Sequence, residues 1–163
     1  MKIFNRIYIL IRIIIGVIFI YAGIIKLLNP EVFSALIDAY GILPDAFLMP
    51  SALGLPVLEI IVGAGLIFDI SGSLTSITTL LIMFIAVLGY GISMGLDIDC
   101  GCFGPGDPEA KAYHGLRATL YRDIILLAGT VYLYTWRRIE NIKPLSLRSH
   151  LKKYFNRRVQ NAI

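Results

Sequence analysis

Four stretches of this chain, about Ile7–Leu28, Leu48–Ile70, Leu74–Leu96 and Leu116–Trp136, each reach the roughly 20 residues a helix needs to cross a bilayer core. In hydrocarbon every backbone N–H and C=O must be satisfied inside its own segment, so runs of this kind fold as helices. Of the 163 residues, 57% are hydrophobic and only 16% charged, more apolar surface than a soluble domain of this size hides. Pro56 and several glycines interrupt the second stretch but leave it long enough. The expected fold is all-α: an integral membrane four-helix bundle over residues 1–136, followed by a basic tail over residues 137–163. No internal repeat and no soluble domain is expected. The first apolar run exceeds the roughly 7–15-residue core of a signal peptide, and Ile20-Tyr21-Ala22 has a bulky residue where cleavage needs a small one. It is therefore expected to remain as an anchor.

The net charge of +4 arises in one place. Between Arg137 and Arg158 lie eight basic residues (Arg137, Arg138, Lys143, Arg148, Lys152, Lys153, Arg157, Arg158) against Glu140 alone. Beside a membrane helix such a tail reads as a cytoplasmic, positive-inside anchor at the lipid surface; nothing besides charge favours nucleic acid, and no nucleic-acid partner is expected. Lys2 and Arg6 place the N-terminus on the same side, as four crossings require. The connections over residues 29–47 and 97–115 lack that positive bias: the first carries Glu31, Asp38 and Asp45, the second Asp97, Asp99, Asp107 and Glu109 against Lys111. Both are expected outside the cytoplasmic (inner) membrane.

The chain's two cysteines, Cys100 and Cys102, fall in the second of these loops, within Asp-Cys-Gly-Cys-Phe-Gly. Because disulfide stabilisation grows with the length of loop closed, two cysteines this close together staple almost nothing. The geometry is awkward for a disulfide, which Gly101 partly relieves, and an exposed or strained disulfide tends to be redox-active. Outside the membrane is also where disulfides persist. Asp97 and Asp99 disfavour a thiolate beside them, so a reactive thiol there needs a positive neighbour; Lys26, Arg117 and Arg122 are the candidates. Phe103 is a candidate contact for a partner's apolar surface. The bland alternative is an inert surface pair. A soft-metal site joining the cysteines to His114 or Met94 is the other alternative, but no metal is expected.

Ionisable residues inside membrane helices are costly and face the bundle interior. Glu59 falls near mid-bilayer, and depth counting allows it to pair with Arg12, whose alternative is to snorkel to the cytoplasmic headgroups. At the outer side, Lys26 is a candidate partner for Asp123 or Glu31, and Arg122 and Asp123 are neighbours. Tyr21 and Tyr90 are candidates to flank a quinone ring, though aromatic residues in membrane helices are commonly packing or interface anchors. Gly16 and Gly23, Gly63 and Gly65, and Gly89, Gly91 and Gly95 read as close helix-packing positions.

Taken together, Arg12…Gly16…Phe19…Ala22-Gly23…Lys26-Leu27, Glu59, Cys100-Gly-Cys-Phe-Gly and Arg122-Asp123 resemble the MauE family, within the broader DoxX-like membrane proteins. The resemblance covers about Ile7 to Trp136 and leaves the basic tail outside. It implies a four-helix protein of the cytoplasmic membrane that is a redox partner for an extracytoplasmic thioredoxin-like protein. The chain has one cysteine pair, whereas the quinone-linked disulfide oxidases, DsbB and the vitamin K epoxide reductase homologues, relay electrons through two. A relay here would run directly from the partner through Cys100 and Cys102 to a membrane acceptor, with quinone suggested by analogy. The expected function is thus thiol–disulfide exchange, favouring oxidation of the partner. The alternatives are a non-catalytic docking or assembly subunit for an extracytoplasmic redox protein, and a transporter using Arg12 and Glu59 as a polar path.

Overall fold

A computed structural model of the chain describes residues 2–95 and 116–141. The loop with Cys100, Cys102 and Phe103, together with the basic tail beyond residue 141, lies outside the described residues.

Within them, every regular element longer than an isolated bridge position is a helix: α1 (Lys2–Leu28), α2 (Pro30–Ala39), α3 (Asp45–Ile67), α4 (Ser73–Ser93) and α5 (Leu116–Ile139). Three of these, over Phe4–Leu28, Asp45–Ile67 and Ser73–Ser93, are long and apolar enough to cross a membrane. The fourth expected span, α5, has 24 residues, ample by length. It is less apolar because Arg122 and Asp123 sit within it. The two central expected helices each begin and end up to three residues earlier than read from the sequence. Pro44 starts α3 from an extended conformation, and Gly72, at φ 97°, opens α4.

The sequence reading missed α2, having taken residues 29–47 as a loop. Pro30 occupies the first turn of this 10-residue helix, where its missing N–H costs nothing. Phe33, Leu36, Ile37 and Tyr40 recur at helical spacing and turn toward the interior. The chain then reverses through Gly41, whose φ of 62° suits glycine.

The closest helix pairing is between α1 and α3, and glycines make it. A Cβ on Gly16 would lie 2.8 Å from the Gly63 carbonyl oxygen, and one on Gly63 would lie 2.8 Å from that of Gly16. Two turns further along α1, a Cβ on Gly23 would meet the Pro56 carbonyl at 2.7 Å. Backbone approach of this kind drives association where lipid is as apolar as leucine. Gly91 serves differently: a Cβ there would meet the Tyr40 ring at 2.5 Å, so it seats a side chain rather than a helix backbone. Gly89 faces open space, and Gly95, at φ 71°, ends α4.

The main core, from Tyr8, Ile15 and Phe19 through Leu66, Leu74, Ile77 and Leu81 to Leu126 and Leu133, draws on α1, α3, α4 and α5. Phe4 stacks on Trp136 at 5.4 Å between ring centroids. The start of α1 and the end of α5 therefore lie side by side. Large apolar side chains such as Ile61, Phe68, Ile82 and Ile125 point outward, as lipid-facing residues do.

Replacing Gly16 or Gly23 by valine is expected to destabilise the protein by about 1–3 kcal/mol through overpacking of α1 against α3. The same change at Gly89 should have a small effect. Thermal unfolding in detergent checks the ordering.

Candidate functional site

The close approach at Gly23 brings the next turn of α1 against α3, and there Lys26 meets Glu59. Lys26 Nζ donates to Glu59 Oε1 at 2.5 Å, with both side chains out of contact with solvent, at 4% and 1% exposure. The ammonium also lies over the rings of Phe33 from α2, at 5.3 Å, and Phe84 from α4, at 4.9 Å. Such faces attract a cation, and more strongly when it is desolvated. Four helices thus converge on one buried charge pair.

The pair lines a partly open cavity of about 340 Å³ enclosed by all five helices. Its walls are almost wholly apolar, formed by residues such as Phe19, Leu36, Tyr40, Leu55 and Leu88. Arg122 and Asp123 line the same cavity. The Asp123 Oδ1 accepts hydrogen bonds from Arg122 Nε at 3.1 Å and Nη2 at 3.0 Å. Among the described residues, the second carboxylate oxygen of Glu59, Oε2, is buried without a hydrogen-bond partner.

The expected pairing of Arg12 with Glu59 is incorrect. Arg12 Nη1 binds Asp69 Oδ2 at 3.0 Å, and its Nη2 donates to the Ile67 carbonyl at 3.2 Å. The reason is helix register. Arg12 and Lys26 are fourteen residues apart on α1, about 21 Å at 1.5 Å per residue. Antiparallel packing therefore sets Arg12 against the end of α3 and Lys26 against its middle. Lys26 takes Glu59 as its salt-bridge partner, where Asp123 or Glu31 had been expected. Asp69, in the turn after α3, also receives a hydrogen bond from Arg137 of α5, so one carboxylate ties three parts of the chain together. Asp69 has a positive φ of 56°, uncommon for a residue other than glycine.

Tyr21 and Tyr90 do not line the cavity and are 44% and 47% exposed. The sequence reading singled out Lys26, Glu59, Arg122 and Asp123 but did not assemble them around one cavity. The missing piece was α2, which supplies Phe33, Leu36 and Tyr40 to the wall.

Three apolar spanning helices with a charge pair and a cavity enclosed between them define a multi-pass membrane protein in contact with lipid. The sequence profile of methylamine utilisation protein MauE matches residues 4–136. A methylamine utilization protein MauE of Paracoccus denitrificans is 33% identical over 127 residues, which cover 76% of this chain and 66%, just under two thirds, of that relative. The chain belongs to the MauE family. The wider DoxX-like grouping lies beyond what these matches show. No solved structure matches the chain.

Leaving Lys26 without its partner in Glu59→Ala is expected to cost about 3–5 kcal/mol, the usual effect of breaking a buried pair. Asp69→Ala should cost less, roughly 1–3 kcal/mol. Arg12 and Arg137 lie nearer the helix ends and reach water or headgroups when released. Unfolding free energies in mixed micelles test the order of the two variants.

Proposed function

We propose that this protein is a membrane thiol–disulfide oxidoreductase that passes electrons between an extracytoplasmic thioredoxin-like protein and a membrane acceptor through Cys100 and Cys102. The observation that carries the reading is where the cysteine loop is anchored. It leaves from the end of α4 and returns at Leu116, and Leu116 packs with Leu88 and Tyr40, two residues of the cavity wall. In this reading the helix ends that flank the segment with Cys100 and Cys102 lie beside a partly open site between the helices.

In this reading α5 is the fourth crossing. Outward-facing Tyr121, Ile124, Ile125 and Val131 support it, since such a face suits lipid. The contact of Phe4 with Trp136 supports placing both helix ends on one side. Lys2, Arg6 and the basic residues after Trp136 make that side cytoplasmic, with the cysteine loop outside. The family's name ties its members to methylamine utilisation. In this reading the chain's part in such a process is thiol chemistry, with no direct contact with methylamine.

A partner's disulfide or thiols exchange with the Cys100–Cys102 pair through a mixed disulfide, resolved by the neighbouring thiol. Phe103 and the acidic loop form the docking surface. Arg122, which lines the cavity on the early turns of α5, is the cation assigned to favour a thiolate. Lys26 instead holds Glu59.

Thiol alkylation of the purified protein in graded redox buffers measures the midpoint potential of the pair. A reversible two-electron transition near or above about −200 mV is expected. A bond that stays oxidised below about −300 mV would be structural and would leave the protein a docking or assembly subunit.

A further inference from the structure

We propose that the cavity at Lys26 and Glu59 is the binding site for the ring of a membrane quinone, held most firmly in its reduced, quinol form. The volume of about 340 Å³ lies at the small end of the usual range for small-molecule sites, about 300–1,000 Å³. The apolar walls suit a ring and the start of an apolar tail, and three of the five helices that form them are long and apolar enough to cross a membrane.

The polar groups narrow the choice. Glu59 Oε2 is buried and unpartnered among the described residues, and an acceptor left in that condition is normally satisfied by something. It calls for a ligand that donates a hydrogen bond. Because Lys26 and Glu59 cancel each other's charge, the site is suited to a neutral ligand. The headgroup of a fatty acid or anionic phospholipid would set a second negative group against Oε2. A quinol hydroxyl donates to Oε2 without that repulsion, and Lys26 offsets negative charge on a ring oxygen as electrons arrive.

The direction of electron flow rests on the thiol-redox reading above; the site itself does not. In that direction two S–H bonds of Cys100 and Cys102 break and one S–S bond forms. The two electrons and two protons released go to the quinone, forming the two O–H bonds of the quinol. The position also replaces Tyr21 and Tyr90 as the ring's surroundings.

The test measures binding without turnover. The full-length Cys100→Ser/Cys102→Ser protein in lipid nanodiscs is titrated calorimetrically with a decyl benzoquinol and with a short-chain naphthoquinol. Saturable one-site binding of at least one of them is expected. Ala22→Phe, which fills the cavity, and the charge-free pair Lys26→Met/Glu59→Leu should each weaken it roughly 10- to 100-fold. The second variant guards against misfolding, because replacing both members of a buried ion pair by apolar residues of similar size is often neutral for stability. Asp69→Asn, in the turn after α3 and against Arg12 rather than Lys26, should leave the affinity unchanged. Absence of binding in the parent, or equal affinity in both cavity variants, would overturn the site even if the cysteines titrate as an oxidising couple. Binding that depends on the cavity would stand even if the cysteine bond proved structural.

Discussion

The ion pair between Lys26 and Glu59 is the interaction around which the helices are arranged. An isolated charge moved from water into a medium of low dielectric costs on the order of 20 kcal/mol in the idealised limit, so neither residue is tolerable there alone. Together, with the ammonium against Oε1 and over two aromatic rings, they are. The contact requires α1 and α3 to come closer than ordinary side chains permit, and Gly23, one turn before Lys26, allows it. Phe33 and Phe84 then bring α2 and α4 to the same point. What results is a packed bundle with one electrostatically expensive interior position, and positions of that kind inside membranes usually have a use.

The second charged group, Asp69 with Arg12 and Arg137, makes a useful contrast. It joins α1, the turn after α3 and α5 near the ends of the helices, and its three residues do not line the cavity at Lys26 and Glu59. Its role is accounted for by holding three elements in register. The Lys26–Glu59 pair shares an enclosed apolar space with Arg122 and Asp123 and leaves one carboxylate oxygen unsatisfied. Buried unpartnered atoms occur in both groups, at Glu59 Oε2 and at Arg12 Nε and Arg137 Nε, so what separates the candidate site from the structural layer is the cavity, which Arg12, Asp69 and Arg137 do not line. Leu116, which follows the segment with Cys100 and Cys102, packs on Leu88 and Tyr40 of the cavity wall, which is why the proposed thiol chemistry and the cavity are read together.

Much of the architecture was legible because membrane helices announce themselves by length and apolarity, and those two properties need no partner. The glycines of α1 were legible for a related reason: small residues at intervals of seven share a helix face. Helix α2 was not, because its 10 residues fall below the length that marks a span and its acidic residues and flanking prolines resemble a loop. The period of Phe33, Leu36, Ile37 and Tyr40 was the signal available. The partner of Glu59 was missed for another reason. Depth counted from one helix end gives no register between two helices; that register comes from Gly16 against Gly63 and Gly23 against Pro56. The chemistry of Cys100 and Cys102 was read from their spacing, their expected side of the membrane and the family resemblance, and those residues lie outside the described ones.

A double-mutant cycle on Lys26→Met and Glu59→Leu, read as unfolding free energy in mixed micelles, tests the central claim most directly. If the two side chains form the buried pair that organises α1 against α3, each single change is strongly destabilising and the double change recovers most of the loss. The coupling then approaches the sum of the two single losses and exceeds the range of about 0.5–3 kcal/mol usual for contacting residues. Additive effects, with a double variant as unstable as the two losses combined, would mean that the two charges do not depend on one another and would contradict the account.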